Sequence, residues 1–356
     1  MLPADEKAKD ALDTVVRKAR VHFYKPIQIA EILFHHRTEG RFKLTNLEAY
    51  RNISKRWRDE VSHRLVGRSS TSSARYQDDV FNKNATPPKL LAILGEINAR
   101  TGGGVESYIY KALRTKLSDV LHVREYITES TLDTFSIHEL VDKFVTSPGL
   151  KRSTDKIYEI AVHALFSTIV RALEAEITLS INNEDKEILA DFEQFIKMVL
   201  GISAENTKVV MPAVLYRVGV TNAADSGLDM WANFGTVIQV KHLTLTPELT
   251  EDIVGGIEAD RIVIVCRDAD RGPIEALLLQ LGLNDRVQGI ITLSDLHEWY
   301  GLCLGERYRE RLAETLLADL GREFDAEFPS NTEAEPFMSE RGYDTIAIPE
   351  GWEQSE

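Results

Sequence analysis

Cysteine is nearly absent from this sequence, with Cys266 and Cys303 the two in 356 residues. A disulfide framework and a cysteine-based zinc site are thereby excluded, and the pair reads as reduced thiols of a cytoplasmic protein. No apolar run approaches the length needed to cross a bilayer, so a membrane role is not expected. The opening Met1-Leu2-Pro3-Ala4-Asp5-Glu6 lacks the basic-then-apolar pattern of a secretory leader. His35-His36, His163 and His242 have no second histidine or cysteine at zinc-ligand spacing. A G-x-S-x-G elbow is missing, which argues against a serine hydrolase of that class. Gly102-Gly103-Gly104 is followed by no Gly-Lys-Ser/Thr step and reads as a turn rather than a phosphate loop. No internal repeat is present.

Positive charge is also short, the net being −14, but it is unevenly spread. Residues 51–75 hold seven basic side chains, Arg51, Lys55, Arg56, Arg58, Arg64, Arg68 and Arg75, against Asp59 and Glu60, a local +5. Residues 321–356 hold ten acids against Arg322 and Arg341, a local −8. A basic strip on an acidic chain suits a protein that grips DNA in one place and avoids polyanions elsewhere. Within the strip, Arg68-Ser69-Ser70-Thr71-Ser72-Ser73-Ala74-Arg75 sets small hydroxyl donors between arginines, a composition fit for phosphates and base edges. A solvated face or a flexible loop would carry the same residues.

Apolar periodicity outlines the architecture. Helices are expected over residues 7–21, 27–36, 89–100 and 105–123, the first with Ala11, Leu12, Val15, Val16 and Ala19 on one stripe. Ser147-Pro148-Gly149 closes this helical region, giving expected domains 1–150, 151–320 and an acidic tail, 321–356. Ser153 is expected to cap a helix carrying Ile157, Ile160, Ala164 and Leu165. Strands are expected at 209–220, 261–266 and 287–293, and helices at 247–257, 274–281 and 296–317. Alternating later strands and helices imply an α/β fold with a mixed sheet.

Between these lies Leu228-Asp229-Met230-Trp231-Ala232-Asn233-Phe234-Gly235-Thr236-Val237-Ile238-Gln239-Val240-Lys241. It reads as two short strands joined by a turn at Asn233-Phe234-Gly235. Alternation puts Gln239 and Lys241 on one face of their strand, and a hairpin can bring Asp229 to the same end. Asp229 can hold a hard divalent cation such as Mg2+, with Gln239 and the Val240 carbonyl as further oxygen donors. Lys241 can position a water or offset charge on a phosphorane-like transition state. A strand-end lysine paired with a carboxylate would also explain Lys241. Two rival acid-acid-lysine steps, Asp5-Glu6-Lys7 and Glu184-Asp185-Lys186, lie in polar stretches without a strand pattern. Glu159, near the start of the helix after Ser153, is a further acid that could serve this chemistry or stand as a salt-bridged surface group.

The hairpin resembles the PD-(D/E)xK nuclease motif, with Leu228 at the proline position and Gln239 replacing the second acid. Four further runs resemble the HaeII-type family of Type II restriction endonucleases. They are Arg20-Val21-His22-Phe23-Tyr24-Lys25-Pro26-Ile27-Gln28-Ile29-Ala30-Glu31-Ile32-Leu33, Ser69-Ser70-Thr71-Ser72-Ser73-Ala74, Asp155-Lys156-Ile157-Tyr158-Glu159-Ile160 and Tyr216-Arg217-Val218-Gly219-Val220-Thr221-Asn222-Ala223-Ala224-Asp225. The resemblance spans most of the first 300 residues. It implies a PD-(D/E)xK core, its mixed sheet flanked by helices, beside a mainly helical N-terminal region for DNA recognition. It also implies Mg2+-dependent cutting of both strands of double-stranded DNA at a short palindrome with a GC-rich core such as RGCGCY. Asp229, Gln239, Lys241 and Glu159 are the expected catalytic residues, and Arg68, Ser70, Ser72, Arg75 and Asn222 the expected DNA contacts. Two equivalent half-sites call for a homodimer, and a cognate DNA methyltransferase is expected to act on the same site without needing to bind. A non-catalytic DNA-binding regulator, or a repair or junction-resolving nuclease, are the other classes open to this sequence.

Overall fold

The computed structural model describes residues 3–70, 77–203, 205–218, 228–241, 259, 261–282, 284–328 and 333–352. They form two compact units, one within Met1–Tyr158 and Gly321–Glu356, the other within Glu159–Gly219 and Ala224–Leu320. No helix among the described residues is long and apolar enough to cross a membrane.

The first unit is helical. Its early helices are α1 (Pro3–Lys18), α2 (Tyr24–Glu39), α3 (Ile53–Val66), α4 (Pro88–Arg100), α5 (Gly104–Glu129) and α6 (Ile137–Thr146). Pro88 opens α4, where its missing N–H costs nothing, and Ser136 caps α6 by accepting from the Glu139 amide. The triple glycine is the turn between α4 and α5. Gly103 sits at φ 108°, while the Asn98 side chain takes the amides of Val105 and Glu106 at 3.1 and 3.2 Å. α1 ends at Lys18, short of residue 21, and α5 runs on past residue 123 to Glu129.

Residues 321–356 belong to this unit despite their acidity. Phe324, Phe328, Phe337, Met338, Tyr343 and Trp352 are all buried there. Two buried carboxylates fix them. Glu106 accepts from Arg37 at 2.9 and 2.8 Å, from Asn98 at 2.5 Å and from the Tyr343 hydroxyl at 2.9 Å. Glu31 accepts from Tyr110 at 2.5 Å and Arg341 at 3.3 Å, and burial pushes its carboxyl above the ordinary range.

The second unit is mixed α/β. Its first helix, α7 (Thr154–Ala172), follows a single 3-10 turn, Lys151–Ser153, so Ser153 stands directly before its first residue. A hairpin of β1 (Glu176–Ser180) and β2 (Lys208–Pro212) brackets the short helix α8 (Lys186–Asp191) and its helical continuation to Leu200. The main sheet has five strands in sequence order: β3 (Leu215–Arg217), β4 (Met230–Ala232), β5 (Thr236–Val240), β6 (Arg261–Cys266) and β7 (Val287–Thr292). The first three form an antiparallel meander, and β5, β6 and β7 run parallel. The strand expected over 209–220 is therefore two strands in two sheets, parted after Pro212.

Helices α9 (Arg271–Leu281), α10 (Leu293–Leu304), α11 (Glu314–Glu327) and α12 (Ala334–Glu340) follow, the division between units falling midway along α11, after Leu320, and α12 belonging to the first unit. The helix expected at 247–257 lies outside the described residues. Val237, Ile262, Ile264 and Cys266 share one sheet face and pack on Ile274 and Leu278 of α9. The opposite face meets α7 and α10, where Tyr300 donates to the Ala161 carbonyl at 2.9 Å. Burial pushes the Cys266 thiol up to about 11, as expected of a core thiol with no reactive role.

One buried base makes the first unit pH-sensitive. Burial holds His22 down to about 4, against a smaller upward pull from Glu327 and further lowering by Arg68 and Arg20. The unfolded chain takes up this proton near its ordinary value of about 6.5, before the folded state does. Stability is therefore full above that pH and falls as pH drops toward 4, by about 3 kcal/mol for this group. Urea unfolding of His22→Phe between pH 7.5 and 4 should show a shallower loss than the parent. Parallel curves would remove His22 as the cause.

Candidate active site

The hairpin that carries the acid and the lysine is built by register. Met230 pairs with Ile238 and Trp231 with Val237, so the next step sets Asp229 beside Gln239. Gly235, at φ 87°, closes the turn with its amide on the Ala232 carbonyl at 3.0 Å. Asn233 pins β3 to the same turn, its side chain taking the Val214 amide at 2.9 Å and donating to the Pro212 carbonyl at 3.0 Å.

Beyond the last ladder pair, Asp229 substitutes for backbone. Its Oδ2 accepts the Val240 amide at 2.8 Å, while its own carbonyl accepts the Val218 amide at 2.8 Å. A strand residue's N–H and C=O point to the same edge, so the Val240 carbonyl also faces β4. Gln239 is buried at 1% exposure, paired in register with Ile264. Lys241 is half-buried, and its amide donates to the Val265 carbonyl at 2.8 Å. Asp229, Gln239, Val240 and Lys241 are thus brought to one end of the β4–β5 pair. Among the described residues no three acids, histidines or cysteines cluster as a metal site. The donor set here is instead one carboxylate, one amide oxygen and one backbone carbonyl, all hard oxygens of the kind Mg2+ accepts alongside water.

The remaining expected residues are more scattered. Glu159 is buried on α7, one turn before His163, whose Nε2 lies 3.3 Å from the Leu215 carbonyl of β3. Arg68 donates to the Ala326 carbonyl, and Ser70 is half-buried. Ser72, Arg75 and Asn222 lie outside the described residues, as does His242. Neither rival motif lies on a strand: Asp5-Glu6-Lys7 is in α1, and Glu184-Asp185 precede α8, which Asp185 caps through the Glu187 and Ile188 amides.

The basic strip is largely neutralised within the first unit. Arg51 and Lys55 both bind Asp78 at 2.8 Å, Arg56 binds Glu60 at 2.9 Å, and the buried Arg58 binds Asp59 at 2.7 Å. Arg64 reaches Glu340 at 2.7 Å and Glu333 at 3.3 Å. A sequence-local count of +5 therefore overstates the field this segment projects. One feature that sequence reading passed over is the exposed pair Tyr216–Trp231, stacked at 4.4 Å across β3 and β4. Trp231 is two residues from Asp229 and so on its face; strand alternation alone could have found it. An apolar cavity of about 460 Å³ under the sheet, lined by Phe166, Ile238, Trp299 and neighbours, has no charged group suited to a phosphodiester.

The sequence profile of the HaeII restriction endonuclease family matches residues 8–343. The chain belongs to that family. It is 47% identical over 338 residues to the Type II restriction enzyme HaeII of Haemophilus aegyptius, covering 94% of this chain and 96% of that enzyme. It is likewise 47% identical over 343 residues to the Type II restriction enzyme NgoBI of Neisseria gonorrhoeae, covering 96% and 97%. No solved structure matches it. Family membership makes the chain a Type II restriction endonuclease, an enzyme that acts on DNA.

The burial of Gln239 generates a test of the site that needs no DNA. Gln239→Glu puts a second carboxylate at a 1%-exposed position beside Asp229. In chelator this should cost about 1–3 kcal/mol, seen as a Tm several degrees lower. Millimolar Mg2+ should recover most of that loss if the oxygens form a cation site. A Tm that ignores Mg2+ would take this set of oxygens out of the metal question.

Proposed function

We propose that this enzyme hydrolyses phosphodiester bonds in both strands of double-stranded DNA at a short, GC-rich palindrome, using Mg2+ and a PD-(D/E)xK-type core. The observation that carries the reading is the Asp229 carboxylate on the Val240 amide, which ties the acid to the Gln239-Val240-Lys241 step. The α7, three-stranded meander, parallel strand order supports the same core. Asp229, Gln239 and the Val240 carbonyl would hold the cation. Bound there, Mg2+ supplies Lewis-acid polarisation of the phosphate and a more acidic water.

The chain's own groups do the rest. Lys241, at the same strand end, orients the attacking water and offsets charge on the phosphoryl oxygens. Asp229 is held in place by the Val240 amide, so its carboxylate needs no reorganisation as the reaction proceeds. Glu159 is the further acid contributed from α7. Replacing the second acid by neutral Gln239 lowers the negative charge available to a cation. A palindrome presents two equivalent halves, so two copies related by a two-fold axis would cut one strand each. The same sequence would be the target of a cognate DNA methyltransferase.

Asp229→Ala and Lys241→Ala should keep DNA affinity while cleavage of plasmid falls by orders of magnitude. Near-parental cutting by Lys241→Ala in Mg2+ would reject the assignment. The digest also separates function classes: fixed bands indicate a restriction enzyme, a smear a repair-type nuclease, and intact plasmid a binding protein alone.

Arg68, Ser70, Ser72, Arg75 and Asn222 are the proposed DNA contacts. An arginine reading guanine O6 and N7 is worth about 1–3 kcal/mol on the cognate site and little elsewhere, whereas a phosphate contact weakens all duplexes alike. Arg68→Ala and Arg75→Ala, assayed on the mapped cleavage site and a scrambled duplex at two salt concentrations, distinguish these roles. Unchanged binding to both duplexes would move recognition to another surface.

A further inference from the structure

Two stretches of the first unit, far apart in sequence, carry positive charge outside the strip at 51–75. Residues 17–25 hold Arg17, Lys18, Arg20 and Lys25 with no acid, a local +4. Residues 151–156 hold Lys151, Arg152 and Lys156 against Asp155, a local +2. The fold brings the two together. Arg20 binds Asp155 at 2.5 Å. The buried Lys116 of α5 ties both stretches from within, its ammonium 5.8 Å from the Phe23 ring centre and donating to the Gly149 carbonyl at 3.2 Å. Arg152 lies close enough to Lys116 to act on its charge. Phe23 itself is buried at φ 56°, a left-handed conformation that costs about 1–3 kcal/mol and persists only where packing holds it. The turn between α1 and α2 is therefore fixed beside the start of α7.

Arg17, Lys18, Lys151 and Arg152 are exposed, and among the described residues no carboxylate pairs with any of them. The nearby acids are engaged elsewhere, Asp155 with Arg20 and Asp119 with the Gly149 amide and Lys116. The strip differs, since Arg51, Arg56, Arg58 and Arg64 each meet an acid there. On a chain of net charge −14, four exposed cations without acids in one neighbourhood attract a polyanion. The patch also adjoins the proposed Arg68–Ser70 contacts. The Tyr24 hydroxyl donates to the Ser69 carbonyl at 3.3 Å, and Arg20 and Arg68 both lie close enough to the buried His22 to disfavour its charged form.

We propose that Arg17, Lys18, Lys151 and Arg152 form a phosphate grip, a sequence-blind contact with the duplex backbone beside the Arg68–Ser70 segment. Lysine is a point charge on a flexible stem, which suits a phosphate oxygen and by itself carries little base information. Each neutralised phosphate steepens the fall of log affinity with log salt by about 0.9, so four contacts account for a slope of about 3 to 4.

This surface deepens the proposed function and rests on its DNA substrate, yet its test needs no cutting. In chelator, the full chain and a fourfold variant (Arg17→Gln, Lys18→Gln, Lys151→Gln, Arg152→Gln) are titrated with the mapped-site duplex and a scrambled duplex over a salt series. The variant should bind both duplexes more weakly by one common factor, on the order of 100-fold at about 0.1 M salt, with the slope reduced by about 3 to 4. The charge-keeping variant, Arg17→Lys, Lys18→Arg, Lys151→Arg and Arg152→Lys, should bind as the parent does. A second measurement uses the parent alone: saturating duplex should suppress acetylation of Lys18 and Lys151 several-fold, read by mass spectrometry. It keeps the inference open to refutation where the fourfold change fails to fold. Unchanged affinity and slope, or equal labelling with and without DNA, would overturn the grip and leave the nuclease reading standing. Weakening on the mapped site alone would overturn it too, because these side chains would then be reading bases. A parent that binds neither duplex at low salt removes the grip and the DNA reading together.

Discussion

The register of one short antiparallel pair governs the candidate site. β4 and β5 share two paired positions, Met230 with Ile238 and Trp231 with Val237, and nothing else in the ladder fixes where Asp229 falls. A slip of one residue would turn Gln239 and Lys241 to the other face of the sheet and take the Val240 amide away from the Asp229 carboxylate. So short a ladder needs outside support. Gly235 supplies a turn that no L side chain enters without strain, and Asn233 ties that turn to the start of β3. The parallel pairing of β5 with the buried β6 holds the other edge, over a core of Val237, Ile262, Ile264 and Cys266. The polar end of the hairpin thus inherits its geometry from an apolar interior.

The first unit rests on a different constraint, two carboxylates held away from water. Glu106 and Glu31 are each surrounded by donors from distant parts of the chain. A buried carboxylate is tolerated only with such partners, and removing one of them costs far more than the bond itself. Because Tyr343 and Arg341 are among these donors, residues 333–352 are bound into the fold by polar contacts as well as by Phe337, Met338 and Trp352.

Much of this could be read in the residues, for physical reasons that also explain what was missed. β6 is legible because Ile262-Val263-Ile264-Val265 is continuous, the mark of a strand covered on both faces. The hairpin is legible because Gly235 and the alternation around it leave few other conformations. The 209–220 run looked like one strand because local hydropathy does not register that Pro212 lacks a ladder donor and that Asn233 captures Val214. Summed charge misled twice: the strip at 51–68 finds its acids in Asp78, Glu333 and Glu340, and residues 321–352 hide six large apolar side chains behind their acids. Both errors come from counting along the chain what is balanced through space.

An acidic restriction enzyme must still approach a polyanion. With Arg51, Arg56, Arg58 and Arg64 already paired to acids, few of the segment's described cations are left to release counterions from arbitrary DNA. That pairing favours low nonspecific affinity, which is useful to a site-specific endonuclease. The quantity that matters against a genome of competing sites is the ratio of specific to nonspecific binding. Weakening the sequence-blind term raises that ratio without strengthening any base contact. The exposed Tyr216–Trp231 stack near Asp229 fits the same logic, since aromatic faces offer contact area without adding positive charge. Acidity and pairing of the basic strip then act together against the sequence-blind term, while base contacts keep their full weight.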